Sequence, residues 1–290
     1  LITVMEHHSN IVPWQLLAER VGARVRAVPM DERGVLDQSA YAEMLSDRTK
    51  IVSLIEVSNA LGTCNPISSM AKQAKEIGAL VVVDGCQAVP HQPVDMAVLG
   101  CDFYVFSGHK MYAPTGIGVL WGRYELLAEM PPWQGGGDMI ETVTIEGSTW
   151  SAPPARFEAG TPHISGAIGL ARAAEFIMGL GLENIAKMED DLLRYATEQM
   201  AAVDGLRIIG TAPDKAGILS FVIDGVHAQD LGTLLDQQGV AIRTGHHCAQ
   251  PAMNAFGLTA TARASFGLYN TDEDIDRLVE ATHRAVNMLR

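Results

Sequence analysis

The run Ala79-Leu80-Val81-Val82-Val83 is apolar at every position and ends on a carboxylate, Asp84. A strand without polar alternation is one buried on both faces, the pattern of a parallel sheet covered by helices. Similar runs recur nearby. The pattern predicts strands over Arg24–Val28, Ile51–Glu56, Leu80–Asp84, Phe103–Phe106 and Gly118–Trp121, alternating with helices over Pro13–Val21, Gln38–Leu45, Ile67–Ile77 and Arg123–Glu129. Such alternation is the mark of βα units. Pro66 stands near a helix start, where its missing N–H costs nothing, and Gly78 stands just past that helix, where a left-handed cap is expected.

Downstream the pattern changes. Residues 131–162 are rich in Pro, Gly, Ser and Thr and lack a period, as functional loops do. Helices are predicted over Gly166–Met178, Leu182–Ala202 and Ala228–Gln237, with strands over Leu206–Ile209, Ile218–Ile223, Val240–Arg243 and Ala262–Phe266. A last helix over Asp272–Leu289 starts at Thr271, with Asp274 placed to complete a near capping box. The expectation is a large α/β domain over residues 1–176 with a mostly parallel sheet, and a smaller α+β domain over residues 177–290. Leu1-Ile2-Thr3-Val4-Met5 reads as a strand already in progress, so the chain is expected to be a fragment with no signal peptide.

The balance of 21 Lys and Arg against 34 Asp and Glu gives a net charge of -13. That argues against nucleic acid, whose binding needs a basic surface, and against an anionic membrane surface. No run of about 18 apolar residues is long enough to span a bilayer. Cys64, Cys86, Cys101 and Cys248 are scattered without a CxxC pair. Free thiols in a reducing cytoplasm fit better than a disulfide framework.

Chemistry concentrates where the runs end. Asp84 lies at a strand's carboxyl end, where ligands of open α/β sheets bind, and a carboxylate there could pair with a protonated pyridine ring or with an ordinary Lys or Arg. Gln87 could bond the same ligand. Phe103–Phe106 is followed by Ser107-Gly108-His109-Lys110: a desolvated strand-end lysine is a Schiff-base candidate, and Ser107 and His109 are donors suited to phosphate. His7 and His8 follow the first strand, and the residues alone favour polar loop positions over stacking on a flat ring. Arg243-Thr244-Gly245-His246-His247-Cys248 puts a cysteine in a polar Gly/His loop, a setting for a thiolate nucleophile. A metal site is disfavoured, because three consecutive residues rarely converge on one ion and no second ligand cluster accompanies them. The other three cysteines sit in more apolar contexts and read as structural. Lysine, aspartate and cysteine together suggest pyridoxal phosphate chemistry that ends at sulfur.

Six ordered motifs carry a resemblance over the whole chain: Glu6-His7-His8-Ser9-Asn10-Ile11-Val12-Pro13-Trp14, Val57-Ser58-Asn59, Val83-Asp84-Gly85-Cys86-Gln87-Ala88, Asp102 through Lys110, Arg156-Phe157-Glu158-Ala159-Gly160-Thr161-Pro162 and Arg243 through Cys248. With them the chain resembles class V aminotransferase-fold enzymes, and within these the SufS-type (group II) cysteine desulfurases. The resemblance implies the type I pyridoxal-phosphate-dependent transferase fold, and a homodimer that converts L-cysteine to L-alanine and leaves a persulfide on Cys248. It implies that Lys110 bonds the cofactor, that Asp84 partners the pyridinium nitrogen, that Gln87 bonds the phenolic oxygen, and that His7 stacks on the ring, against the residue reading above. It further implies that Ser107 and His109 hold the phosphate, with Thr161 added from a neighbouring subunit. Asn59 and Arg263, with Arg243 nearby, would orient the substrate carboxylate. A Suf-type acceptor would carry the sulfur to iron–sulfur cluster assembly. Members of that family have an N-terminal segment ahead of the residue matching Leu1, including a phosphate-binding turn. Rival readings are a selenocysteine lyase, a class V enzyme of other specificity such as an aminotransferase, and a cofactor-free remnant that dimerises or binds a partner.

Overall fold

A computed structural model describes all residues from Leu1 to Arg290. The first part runs β1 (Ile2–Thr3), α1 (Val12–Val21), β2 (Ala27–Val28), α2 (Gln38–Met44), β3 (Ile51–Ile55), α3 (Ile67–Glu76), β4 (Leu80–Asp84), α4 (Met96–Leu99), β5 (Phe103–Ser107), β6 (Gly118–Gly122), α5 (Tyr124–Glu129), β7 (Ile140–Val143) and β8 (Ser148–Trp150). The main sheet has the order β3-β4-β5-β6, with the first three strands parallel and β6 antiparallel. Its register sets Ile55 beside Asp84 and Asp84 beside Val105, so three strand ends form one rim. β1 lies along β3, with the Ser53 N–H donating to the Leu1 carbonyl at 2.8 Å.

Met70, Ala71 and Ala74 of α3 pack into one core with Leu54, Val81, Val83 and Tyr104. Each such buried Val or Leu contributes about 1.5–3 kcal/mol. β3 is covered on both faces, but in β4 only Val81 and Val83 are buried while Leu80 and Val82 are half-covered. That corrects the expectation of burial on both faces of β4: the side opposite α3 carries less cover.

The second part runs α6 (Ile164–Leu180), α7 (Leu182–Met200), β9 (Leu206–Ile209), β10 (Ile218–Ile223), α8 (Ala228–Asp236), β11 (Arg243–Gly245), α9 (Gln250–Ala255), β12 (Thr261–Ser265) and α10 (Asp272–Leu289). The sheet order is β11-β12-β10-β9, antiparallel throughout. Leu192 and Ala196 of α7, Leu231 and Leu235 of α8, and Ile275, Leu278 and Ala281 of α10 cover Leu219, Phe221 and Ile223 of β10. Thr271 and Asp274 form a capping box at the start of α10. The chain thus has an α/β architecture, with a mixed sheet followed by a smaller antiparallel one. No single helix is long and apolar enough to cross a membrane.

Three local expectations shift. The aperiodic stretch 131–162 contains the hairpin β7/β8, exposed at every position but half-buried Ile140 and without a clear alternation. The strand predicted over Val240–Arg243 begins instead at Arg243, because Val240 caps α8 through its N–H to the Leu235 carbonyl at 3.0 Å. Helix α9 was not anticipated. Its Ala252 and Met253 join the core of the first sheet and not that of the second.

Candidate active site

Asp84 ends β4, and its Oδ1 accepts the Cys86 N–H at 2.9 Å, which closes a tight turn over the rim. Gly85 in that turn admits no side chain, since a Cβ there would stand 1.9 Å from the Tyr104 ring. Tyr104 in turn donates its hydroxyl to Glu56 Oε2 at 2.6 Å, and Gln92 donates to Glu56 Oε1 at 3.0 Å. The turn carrying Asp84 and Gln87 is therefore seated on a buried polar base. Ser107 ends the neighbouring β5 and leads into a 3-10 turn, Gly108–Met111, that carries exposed His109 and half-buried Lys110.

His7 faces the same rim from the turn after β1. Burial first, and then the Lys110 charge, hold its pKa below the ordinary histidine value, with Asp84 opposing. Asp84, Lys110 and His7 thus share one electrostatic neighbourhood. The Cys86 thiol lies there too, 3.8 Å from Ser107 Oγ, and burial with Asp84 beside it pushes its pKa up to about 11.

Two residues that sequence reasoning did not single out fix this histidine turn. Glu6 is fully buried and accepts from Thr3 Oγ1 at 2.7 Å, the Ile55 N–H at 2.9 Å and Asn10 Nδ2 at 2.7 Å. Asn10 Oδ1 accepts from Ser53 Oγ at 2.6 Å and Trp14 Nε1 at 2.9 Å. Burial raises the Glu6 pKa to about 7 against those hydrogen bonds. The available signal was a Glu, an Asn and a Trp at one-turn spacing around the histidines.

The Cys248 loop comes from the second sheet. β11 pairs with β12 so that Arg243 lies opposite Arg263. His247 and Cys248 then take φ of 53° and 55°, left-handed values that cost a non-glycine residue about 1–2 kcal/mol each. Hydrogen bonds from elsewhere compensate. The His8 N–H donates to the Cys248 carbonyl at 2.7 Å, Asn59 Nδ2 donates to the His247 carbonyl at 2.6 Å, and the Cys248 N–H donates to His246 Nδ1 at 3.1 Å. Arg243 Nη2 donates to Cys248 Sγ at 3.4 Å. His247 Nε2 meets Thr261 Oγ1 at 2.8 Å, and burial with Arg263 nearby pushes its pKa down to about 3, so it is neutral at pH 7.

Arg263 donates through Nη1 to the Asn59 carbonyl at 2.5 Å. Burial lowers its pKa to about 10, which leaves it a cation at pH 7. Its Nε and the Asn59 Oδ1 are both buried without a hydrogen-bond partner. Unsatisfied buried groups of this kind are rare and costly, and they mark a place for a polar ligand. A lysine amine, a carboxylate, an imidazole face and hydroxyl and imidazole donors on one rim suit an anionic, aldehyde-bearing pyridine. The residues present fit pyridoxal phosphate.

Of the predicted site residues, His7, Asp84, Lys110 and Ser107 gather at the rim of the first sheet, and Asn59, Arg263, Arg243 and Cys248 at the loop beside it. Gln87 and His109 flank the rim without side-chain hydrogen bonds of their own. Thr161 is not brought to the site within this chain: it is exposed, beyond the β7/β8 hairpin.

The sequence profile of the family described as Aminotransferase class-V matches residues 1–278. A cysteine desulfurase of Escherichia coli O127:H6 is 50% identical over 290 residues, spanning 100% of this chain and 71% of the relative. A probable cysteine desulfurase of Xylella fastidiosa strain 9a5c is 48% identical over 289 residues, with coverage of 100% and 70%. Among solved structures, a cysteine desulfurase from Escherichia coli in an S-sulfonic acid form superposes with a TM-score of 0.96 at 40% identity, covering 100% of this chain and 72% of the other. The apo cysteine desulfurase of Thermococcus onnurineus NA1 superposes with a TM-score of 0.95 at 38% identity, covering 99% and 72%.

Proposed function

We propose the function that follows from membership: this chain belongs to the class-V aminotransferase family, and it acts as a pyridoxal-phosphate-dependent cysteine desulfurase. The observation that carries this reading is the convergence of two fragments, a lysine–aspartate–histidine rim and a cysteine loop whose thiol is held by Arg243. An aminotransferase would need the first and not the second.

When bound, pyridoxal phosphate supplies an electron sink for charge developing at the substrate Cα. Lys110 is the residue that would hold the cofactor covalently, and its amine would take the Cα proton of L-cysteine onto Nζ. Asp84 would pair with the ring nitrogen, Gln87 would donate to the phenolic oxygen and His7 would lie against the ring. Ser107 and His109 hold the phosphate, joined by Thr161 of a second copy in a homodimer. Arg263 would bond the substrate carboxylate through its unspent Nε, with Arg243 adding positive charge beside it, and Asn59 would help to orient the substrate by accepting an N–H at its free Oδ1. The Cys248 sulfur attacks the substrate sulfur. Its S–H and the substrate C–S bonds break, an S–S bond forms, Cβ takes up a proton in place of the one lost from Cys248, and the proton held at Nζ returns to Cα, to leave L-alanine and a Cys248 persulfide.

Each sheet has its own hydrophobic cluster, with Ile209, Ala249, Ala252 and Met253 crossing into the first. The two-part division at residues 1–176 and 177–290, whose boundary falls inside α6, belongs to this proposal. So does delivery of the persulfide sulfur to a Suf-type acceptor for iron–sulfur cluster assembly in the cytoplasm. The test is to supply the holoenzyme with L-cysteine and map the modified residue by mass spectrometry. Equimolar alanine with a persulfide on Cys248 is expected. A persulfide on Cys64, Cys86 or Cys101, or transamination without sulfur release, would overturn the reading.

A further inference from the structure

His7 and His8 are adjacent in sequence but face different partners. His7 looks onto the cofactor rim, whereas the hydrogen bonds of the His8 side chain and of the His8 N–H lead to the Cys248 loop. The His8 N–H donates to the Cys248 carbonyl at 2.7 Å, and His8 Nε2 accepts the Gln250 N–H at 3.1 Å. Its ring lies 5.3 Å from that of His246, tilted by 35°. Two successive left-handed residues, His247 and Cys248, lie between the atoms so held. Beyond them, α9 is packed into the first core through Ala252 and Met253.

We propose that His8 is a positioning residue that straps the Cys248 loop to the large sheet, and that it does so only as a neutral imidazole. The inference rests on the reading of Cys248 as the sulfur-accepting residue. Nε2 can accept the Gln250 N–H only while unprotonated, so the proton of the neutral ring sits on Nδ1. His246 is bound the same way, since its Nδ1 accepts the Cys248 N–H. Protonating His8 would therefore remove one bond of the strap and set a cation against the His246 ring. The other charged or titratable groups facing this junction are His7 from the same turn and Arg243 with Cys248 from the loop. Burial and then His246 hold the His8 pKa below its usual value, consistent with a neutral ring at pH 7. Acid should thus release the loop and slow sulfur abstraction while leaving substrate binding, made by Asn59 and Arg263, in place.

The test compares holoenzyme carrying His8→Ala and His8→Gln, since the Gln side chain can place a non-titrating acceptor near the position of Nε2. For His8→Ala, kcat for alanine formation should fall about fivefold and the Gln250 amide should exchange about fivefold faster, the effect of one net hydrogen bond. KM for L-cysteine should hold within about twofold, as expected when the lost interaction lies outside substrate binding. His8→Gln should recover most of both losses and should lose the wild-type fall in kcat below the ordinary histidine pKa of about 6.5. Unchanged Gln250 exchange in His8→Ala, or a wild-type acid limb retained in His8→Gln, would overturn the proposal. If His8→Ala fails to fold, His8→Gln decides through its pH profile. Absence of a Cys248 persulfide in the wild type would instead sink the desulfurase reading, and the exchange measurement would still report on the strap.

Discussion

The two halves of the site are built in opposite ways. At the rim, Asp84 and Ser107 are the last residues of adjacent parallel strands, and regular sheet register sets their spacing. At the loop, Cys248 lies between a three-residue strand and a six-residue helix, in a left-handed conformation that its own Cβ disfavours. Bonds from His8 and Asn59, more than 180 positions away in sequence, hold it there. A rim made by register is rigid for the same reason the sheet is stable. A loop made by a few long-range hydrogen bonds can be released by breaking one of them.

The largest expected effects separate the halves. Lys110→Ala should lower alanine formation by at least about a thousandfold, because in the proposed mechanism it removes both the attachment of the cofactor and the proton acceptor. It should also remove borohydride-reducible cofactor attachment. Loop amide exchange should be unchanged, since Lys110 makes none of the loop's bonds. Retained reducible attachment in this variant would show that another residue serves the rim. Cys248→Ala should keep cofactor binding and lose persulfide formation, with alanine release below about one hundredth of wild type. Selenocysteine turnover retained in that variant would favour the lyase reading of the same site.

Legibility differed in the same way. The strands β4, β9 and β10, the helix α10 with its capping box, and the left-handed cap at Gly78 were all readable from local pattern. So was the placing of Asp84 and Ser107 at strand ends, because an apolar run and the polar residue that closes it are adjacent in sequence. The roles of Glu6, Asn10 and His8 were not. Each depends on which strand or loop folds against it, and nothing in their immediate neighbours states that. The shift of β11 has the same origin: Val240 and Ile242 look like strand residues, and they pack against the second core as the approach to a strand.

Stability against pH sharpens the comparison, because one buried group on each side titrates in the opposite sense. Glu6 anchors the rim side with a pKa of about 7 in place of 4.5. Between those values the folded protein holds a proton that the unfolded chain has released, so its contribution rises as pH falls, by about 3 kcal/mol across the window. Glu6→Gln should abolish that rise. Glu6→Ala should in addition destabilise by about 3 kcal/mol at pH 7, since it leaves buried donors of Thr3, Ile55 and Asn10 without acceptors. Urea unfolding at several pH values measures both effects, and a Glu6→Gln curve parallel to wild type would show that the Glu6 carboxyl does not titrate in this window.

The smallest effect expected is that of His247 on the loop side. Its folded pKa is pushed from 6.5 down to about 3, by burial first and then by Arg263 and Arg243. Below 6.5 the unfolded chain binds a proton that the folded protein refuses, so this contribution is complete above pH 6.5 and is lost as pH falls. One pH unit is worth about 1.4 kcal/mol, so descending to pH 5 removes about 2 kcal/mol from this source. In wild type that loss is masked, because Glu6 supplies a gain of similar size over the same range. The masking makes the prediction specific. In the Glu6→Gln background, stability should fall by about 2 kcal/mol between pH 6.5 and 5, and adding His247→Gln should flatten the curve. The same fall should appear as faster exchange of the Cys248 and Gln250 amides, with the amides of β4 unchanged. If the β4 amides respond equally, the loop and the rim unfold as one unit, and the contrast drawn between them does not hold.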